Sequence, residues 1–156
     1  MYELRLYEMD TPIGRLGLVE SARGVTKVLL PGDAFEHPVH AQEARTPAAR
    51  QLEEYFAGTR SEFTVPLDLD GLTLFRARAL HTLSQVPYGE TVTYAELAHA
   101  AGSPKAVRAA GSACATNPLP LFIPCHRVLR ADGSLGGYRG GERAKRFLLA
   151  LEGINV

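Results

Sequence analysis

The chain has 156 residues, 46% of them apolar and 22% charged, with 17 basic and 17 acidic side chains and a formal net charge of zero. A chain of that size buries enough surface for one domain or two small ones, and its composition excludes disordered and fibrous classes. No apolar run approaches the roughly 20 residues that cross a bilayer, and the opening MYELRLYEMDTPIG lacks the shape of a signal peptide, so a soluble, cytoplasmic protein without membrane contact is expected.

Apolar and polar positions alternate through YELRLYE and GRLGLVES, with turn residues at 11–14 and 22–24. This period of two predicts three antiparallel strands in the first thirty residues. Residues 31–46, punctuated by Pro31, Gly32 and Pro38, read as loop. In TPAARQLEEYFAGT, Thr46 is placed to cap a helix and Pro47 to occupy its first position; Leu52, Tyr55 and Phe56 share a face, and Gly58 follows the end. SEFTVPLDLDG reads as one more short strand leading into a linker over 68–71.

From Leu72 the spacing turns helical, with Leu72, Phe75, Ala79, Leu83 and Val86 on one face before Pro87-Tyr88-Gly89 breaks the run. The change of period sets a domain boundary near residue 70, with a strand-rich domain over 1–70 and a helical one over 71–156. Thr93 and Glu96 have the spacing of a capping box, and Gly102 closes that helix. Ser103-Pro104 opens another, which Asn117-Pro118 stops. Two short helices about a glycine turn carry the helix-turn-helix signature. GGERAKRFLLALEG finishes the chain as a helix with Phe147, Leu148 and Leu151 on its apolar face and Gly153 at its end.

The zero net charge hides a gradient: residues 1–71 carry 7 Lys/Arg against 12 Asp/Glu, and residues 99–156 carry 8 against 3. A basic final third suits a phosphate-binding face, and suits a solvated helix surface as well. Two cysteines occur, Cys114 and Cys125, and the five histidines do not join them at the paired spacings of structural zinc, so no metal is expected.

Taken alone, a cysteine is most simply a small core hydrophobe. Cys125, however, precedes His126 and Arg127, and such neighbours favour the thiolate, the reactive form of sulfur. Adjacency is not contact, because successive side chains on an extended segment point apart. The second helix of the pair, SPKAVRAAGSACATN, offers Lys105 and Arg108 as charge and small residues at Ala106 and from Ala109 to Ala113. Those residues fit a helix lying against a sugar-phosphate wall, and equally fit tight packing between helices. Tyr94 is a phenol able to donate a proton. GSLGGYRGG can turn backbone N–H groups toward a phosphate, yet it matches neither a P-loop nor a dinucleotide fingerprint. Glu152 is a carboxylate at the electrostatically poor end of a helix.

IPCHRV at 123–128, with VRAAGSA at 107–113 and NP at 117–118 before it and GGYRGG after it, resembles the O6-alkylguanine-DNA alkyltransferase family. The likeness is dense over 72–153 and architectural before that. It implies an α+β protein with a small ribonuclease H-like first domain and a winged helix-turn-helix-like second one. Such a protein is a DNA repair methyltransferase acting as a monomer, without cofactor, on double-stranded DNA that carries O6-alkylguanine, with O4-alkylthymine as a second candidate lesion. The base is flipped out through the minor groove, and the alkyl group passes irreversibly to Cys125.

Carried over by the same resemblance, His126 acts through water as the base, Glu152 orients it, Tyr94 serves the departing guanine and Asn117 holds the site together. Arg108 fills the gap left by the flipped base. Lys105, Ala106, Ala109 and Ala110 are expected against DNA, together with Ser112, Ala113 and Arg127. Pro120, Val128, Gly136, Gly137, Tyr138 and Arg139 are expected to line the pocket, and Cys114 to serve packing. Two rival readings are a binding-only relative, against which Cys125 speaks because such relatives usually carry tryptophan there, and a Cys-His hydrolase, which leaves the helix-turn-helix unexplained.

Overall fold

The alternation at the start of the chain becomes three antiparallel strands in a computed structural model that describes residues 3–35 and 39–156. Strands β1 (Arg5–Thr11) and β2 (Gly14–Ser21) form a hairpin. Thr11 Oγ1 closes its turn by donating to the Gly14 carbonyl at 2.6 Å and accepting the Ile13 N–H at 3.2 Å. Strand β3 (Gly24–Leu29) continues the sheet on the far side of β2. Alternation is incomplete in β2, where Leu16, Gly17, Leu18 and Val19 are all buried. This central strand is covered on both faces, since a Cβ at Gly17 would meet Leu6 at 3.0 Å and Leu29 at 3.2 Å.

The loop expected over 31–46 contains a two-residue strand, β4 (His40–Ala41), which pairs in parallel with β1 and gives the sheet order β3-β2-β1-β4. Residues 36–38 of that loop, and Met1 and Tyr2 of the first expected strand, lie outside the described residues. Helix α1 (Pro47–Phe56) packs against β1 and buries Ala48, Ala49, Gln51, Leu52 and Tyr55. Thr46 caps it by accepting the Ala49 N–H. The segment over 61–71 is not a strand. It touches β3 through a single bridge, Val25 to Leu67, in which the Val25 N–H donates to the Pro66 carbonyl at 3.0 Å and the Asp68 N–H to the Val25 carbonyl at 2.8 Å. Pro66 has no N–H to extend a ladder, so the pairing stops there. Ser21 Oγ donates to Asp68 at 2.6 Å and Arg23 pairs with Asp68 at 2.9 Å, which fastens the segment along the sheet edge.

The chain divides into two compact units, the first ending at Asp70 and the second beginning at Gly71. In the second, helix α2 (Leu74–Leu83) buries Ala79, Leu80 and Leu83. Strand β5 (Val92–Thr93) runs directly into α3 (Tyr94–Ala100), where Thr93 and Glu96 make both halves of the capping box. Helix α4 (Val107–Ala115) begins later than the proline suggests. Ser103–Ala106 form a turn closed by an Ala106 N–H to Ser103 carbonyl bond, with Pro104 in its second position. Ala79, Ala101 and Ala113 meet where these three helices pack, with Phe75 against them.

A single 3₁₀ turn, Cys125–Arg127, leads into β6 (Val128–Leu129), which pairs in parallel with β5. The last helix, α5 (Glu142–Leu151), turns Ala144, Lys145, Leu148 and Leu149 inward. Its buried face is therefore rotated from the one expected, and Phe147 is exposed. Leu149 instead joins Leu129, Leu135 and Ile154 in a second cluster. Among the described residues no helix is long and apolar enough to cross a membrane.

Candidate active site

The two-residue ladder between β5 and β6 pairs Val92 with Val128 and Thr93 with Leu129. Because α3 starts immediately after β5 and the 3₁₀ turn ends immediately before β6, this short parallel ladder ties together the segments that carry Tyr94 and Cys125, and the two residues line one cavity. The approach to Cys125 is held by Asn117. Its Nδ2 donates to the Ile123 carbonyl at 2.9 Å, its Oδ1 accepts the Leu119 N–H at 2.9 Å, and its carbonyl accepts from Arg139 at 3.0 Å. The Cys125 N–H donates to the same Ile123 carbonyl at 2.8 Å. Between them Leu121 is buried at φ +77°, a conformation that a branched side chain adopts only when its surroundings impose it.

Behind the cysteine, four donors converge on one buried carboxylate. Glu152 Oε2 lies 2.7 Å from His126 Nε2 and 3.1 Å from Arg127 Nη2, and Oε1 accepts from Arg127 Nε at 2.8 Å and from the Gly89 N–H at 3.0 Å. Arg127 Nη1 donates to the Val86 carbonyl at 2.7 Å. A carboxylate only accepts, so Nε2 of His126 carries the hydrogen and Nδ1 is the basic nitrogen of the neutral ring. Burial lowers the His126 pKa, with Glu152 acting in the opposite sense, and the ring is neutral at pH 7.

Cys125 lines a cavity of about 640 Å³ together with residues of α4, Tyr94 and the glycine-rich segment before α5. Burial raises the Cys125 pKa, while a side-chain hydrogen bond from Asn117 and the cations Arg139 and Lys145 pull it down. The resting group is thus a thiol, with groups that favour its thiolate already around it. Tyr94 Oη lies 3.5 Å from the Gly137 carbonyl. Burial raises the pKa of its phenol, with the two cysteine sulfurs adding to the effect, so the phenol keeps its proton. Tyr138 Oη is buried with no hydrogen-bond partner among the described residues, and burial raises its pKa well above the ordinary value. Gly136 is required as glycine: its φ is +72°, and a Cβ there would come within 3.1 Å of the Tyr94 ring and hydroxyl.

Cys125, His126, Glu152, Asn117 and Tyr94 are therefore gathered in one region, and Tyr138, Gly137, Arg139 and Arg108 line the cavity with Cys125. Lys105, Ala109 and Ser112 are exposed, and Ala106 is half-buried. Other expectations need correction. Arg127 is buried in its clamp on Glu152 and faces no outside partner. Ala110 and Ala113 lie on the packed side of α4. Val128 is consumed by the ladder to Val92, and Pro120 by a bridge to Ile123, so neither lines the cavity; nor does Gly136, which lies against Tyr94. Cys114, expected to serve packing, lines the same cavity as Cys125.

Lys145 escaped sequence reasoning altogether. Its Nζ donates to the Val128 carbonyl at 2.6 Å and to the Gly137 carbonyl at 3.2 Å, and it stands 5.9 Å from the centre of the Tyr94 ring. Burial brings its pKa down to about 8, against the pull of Cys125 and Cys114. A signal was present, because Lys145 sits three and four residues before Leu148 and Leu149 and so shares their helical face.

Residues 74–154 match the family described as 6-O-methylguanine DNA methyltransferase, DNA binding domain, and residues 4–69 match its ribonuclease-like domain. A methylated-DNA–protein-cysteine methyltransferase described as constitutive, from Bacillus subtilis, is 41% identical over 155 residues, covering 94% of this chain and 93% of that protein. The methylated-DNA–protein-cysteine methyltransferase of Methanosarcina acetivorans is 44% identical, with coverage of 92% and 95%. A crystal structure of Mycobacterium tuberculosis OGT in complex with DNA superposes with a TM-score of 0.90 at 40% identity, over 95% of this chain and 92% of that one.

Proposed function

We propose that this chain, which belongs to the 6-O-methylguanine DNA methyltransferase family, repairs DNA by taking the alkyl group of O6-alkylguanine onto Cys125. The observation that carries this reading is the cluster of buried Asn117, His126 and Glu152 around the turn that begins at Cys125, whose side chain lines a cavity large enough for a purine. The thiol proton leaves through water to Nδ1 of His126, whose ring Glu152 holds in the required tautomer. Sulfur then attacks the alkyl carbon, the S–C bond forms, and the C–O6 bond breaks with its electron pair moving onto the purine. Tyr94, kept protonated by burial, donates to that departing base. No group in this scheme removes the alkyl from sulfur, so each chain acts once and needs no cofactor.

The substrate must be outside the base stack, since no side chain at the wall of a cavity reaches O6 within a duplex. The exposed face of α4, with Lys105, Ala106, Arg108, Ala109 and Ser112, is the surface we assign to the DNA: small residues admit the backbone closely, and Arg108 at the cavity mouth fills the vacated stack. Tyr138, Gly137 and Arg139 border the flipped base. Residues 71–156 form the domain that carries transfer and residues 1–70 a structural domain, in a protein that acts as a cytoplasmic monomer; O4-alkylthymine is a second substrate to assay. Incubation with duplex DNA labelled on the methyl of O6-methylguanine tests the proposal. One equivalent of label per chain, mapped to Cys125 and absent from Cys125→Ala, is the expected result. Repeated turnover, which a Cys-His hydrolase would give, or label on another residue would overturn it.

A further inference from the structure

Two thiols share the wall of the cavity. Cys114 lies in the last turn of α4 and Cys125 opens the 3₁₀ turn; both are free, and both are almost fully buried. Their backbones are tied through one residue: the Asn117 N–H donates to the Cys114 carbonyl at 3.3 Å, while Asn117 Nδ2 and the Cys125 N–H share the Ile123 carbonyl. A packing cysteine would be expected to turn its sulfur into hydrocarbon. Cys114 instead borders the space that Cys125 faces.

We propose that Cys114 is the resolving thiol of a redox pair, in which a hydroperoxide oxidises Cys125 and Cys114 then closes a disulfide onto it. In the first step the Cys125 sulfur attacks the peroxide, the O–O bond breaks, and Cys125 becomes a sulfenic acid while the peroxide leaves as an alcohol or water. In the second, the Cys114 sulfur attacks the Cys125 sulfur, the S–O bond breaks, and the Cys114 proton leaves with the hydroxide as water.

Order follows from the charges. Burial raises the pKa of both thiols, but at Cys125 it is opposed by Asn117, Arg139 and Lys145, whereas at Cys114 only Lys145 opposes it and Cys125 adds to it, holding that pKa up at about 12, so Cys125 is the sulfur that meets the oxidant. Once Cys125 is a neutral sulfenic acid its repulsion is gone, and the pull of Lys145 on Cys114 remains. The pairing requires the two thiols alone; its effect on repair rests on the function proposed above. A protein whose sulfur is used once gains from a recoverable oxidised form, since the sulfinic acid that otherwise follows is irreversible without a dedicated rescue enzyme.

The test treats the whole chain with hydrogen peroxide and maps its tryptic peptides without reduction. Residues 109–127 hold both cysteines and no internal Lys or Arg, so the disulfide appears as that peptide lighter by two hydrogens. Wild-type transfer capacity should be lost on treatment and return to its untreated level with dithiothreitol. In Cys114→Ser and Cys114→Ala the lighter peptide should be absent and, at peroxide doses that carry an unprotected sulfenic acid on to sulfinic acid, the loss should persist, each variant being compared with its own untreated capacity. Sulfinic acid at Cys125 beside an unmodified Cys114 in the wild type, links only between chains, or full recovery in both variants would each overturn the proposal. A chain that forms the link yet transfers no alkyl group before treatment would leave the redox pair standing and sink the function instead.

Discussion

The two units handle charge in opposite ways. In the first, ion pairs such as Arg15 with Glu8 and Asp10, or Arg45 with Glu53, lie at the surface, and Gln51 is its one buried polar side chain among the described residues. The second unit buries Asn117, His126, Arg127, Lys145 and Glu152. Removing such groups from water costs several kcal/mol per ion before any pairing is counted. A unit built for stability alone would gain by replacing them with hydrocarbon. That they are grouped around one sulfur says that this unit spends stability on positioning, whereas the first is held by its apolar sheet and helix.

The sharpest way to break this contrast is Glu152→Ala. It leaves Arg127 buried without its carboxylate and should cost about 3–5 kcal/mol of unfolding free energy, read from denaturant midpoints, while Glu152→Gln should restore part of the stability and little of the transfer rate. A smaller loss would mean that water reaches the clamp. In the first unit the corresponding test is Gln51→Ala. Gln51 donates to Thr64 Oγ1 at 2.8 Å and accepts the Thr64 N–H at 2.9 Å, so its removal should cost about 1–3 kcal/mol with transfer per folded chain unchanged.

Acid supplies a third comparison. Burial holds the folded His126 pKa below the ordinary 6.5, so the base stays neutral and the transfer rate level from pH 7 down past that value. Below the folded pKa the rate should fall up to about tenfold per unit. Stability moves the same way: the unfolded chain takes up a proton near 6.5 that the folded ring refuses, so stability declines as pH drops from 6.5 toward the folded value. A rate already falling at pH 7 would contradict a buried, neutral base. The smallest expected effect is Arg45→Ala, which breaks an exposed pair with Glu53 at 2.7 Å and should change unfolding by less than about 1 kcal/mol.

Local signals were readable in the sequence. The strands, α1 with its Thr46 cap and the Thr93–Glu96 box all rest on contacts within a few residues. What escaped depends on distant partners. Strand β4 exists because Arg5 and Leu6 of β1 offer it an edge, and Pro104 serves a turn because the helix can start at Val107 without it. Arg127 reads as a DNA contact in one dimension, and becomes a clamp because Glu152, at the end of α5, reaches it. The cluster around Cys125 was legible through the likeness of IPCHRV to a family. Its hydrogen-bond order was not, and Lys145 was hidden by the habit of placing lysine on the wet side of a helix.

The fastening of residues 66–68 along β3 bears on how the protein behaves when crowded. Exposed strand edges recruit strands from other molecules and seed polymers. Here one flank is occupied by the chain itself, through a glycine, Gly24, whose replacement would press a Cβ to 2.4 Å from the Pro66 carbonyl oxygen. The opposite flank ends in a strand of only two residues. Loosening the contact at Gly24 would therefore expose a template for aggregation in the first unit, with the second unit, which carries Cys125, unaltered in itself.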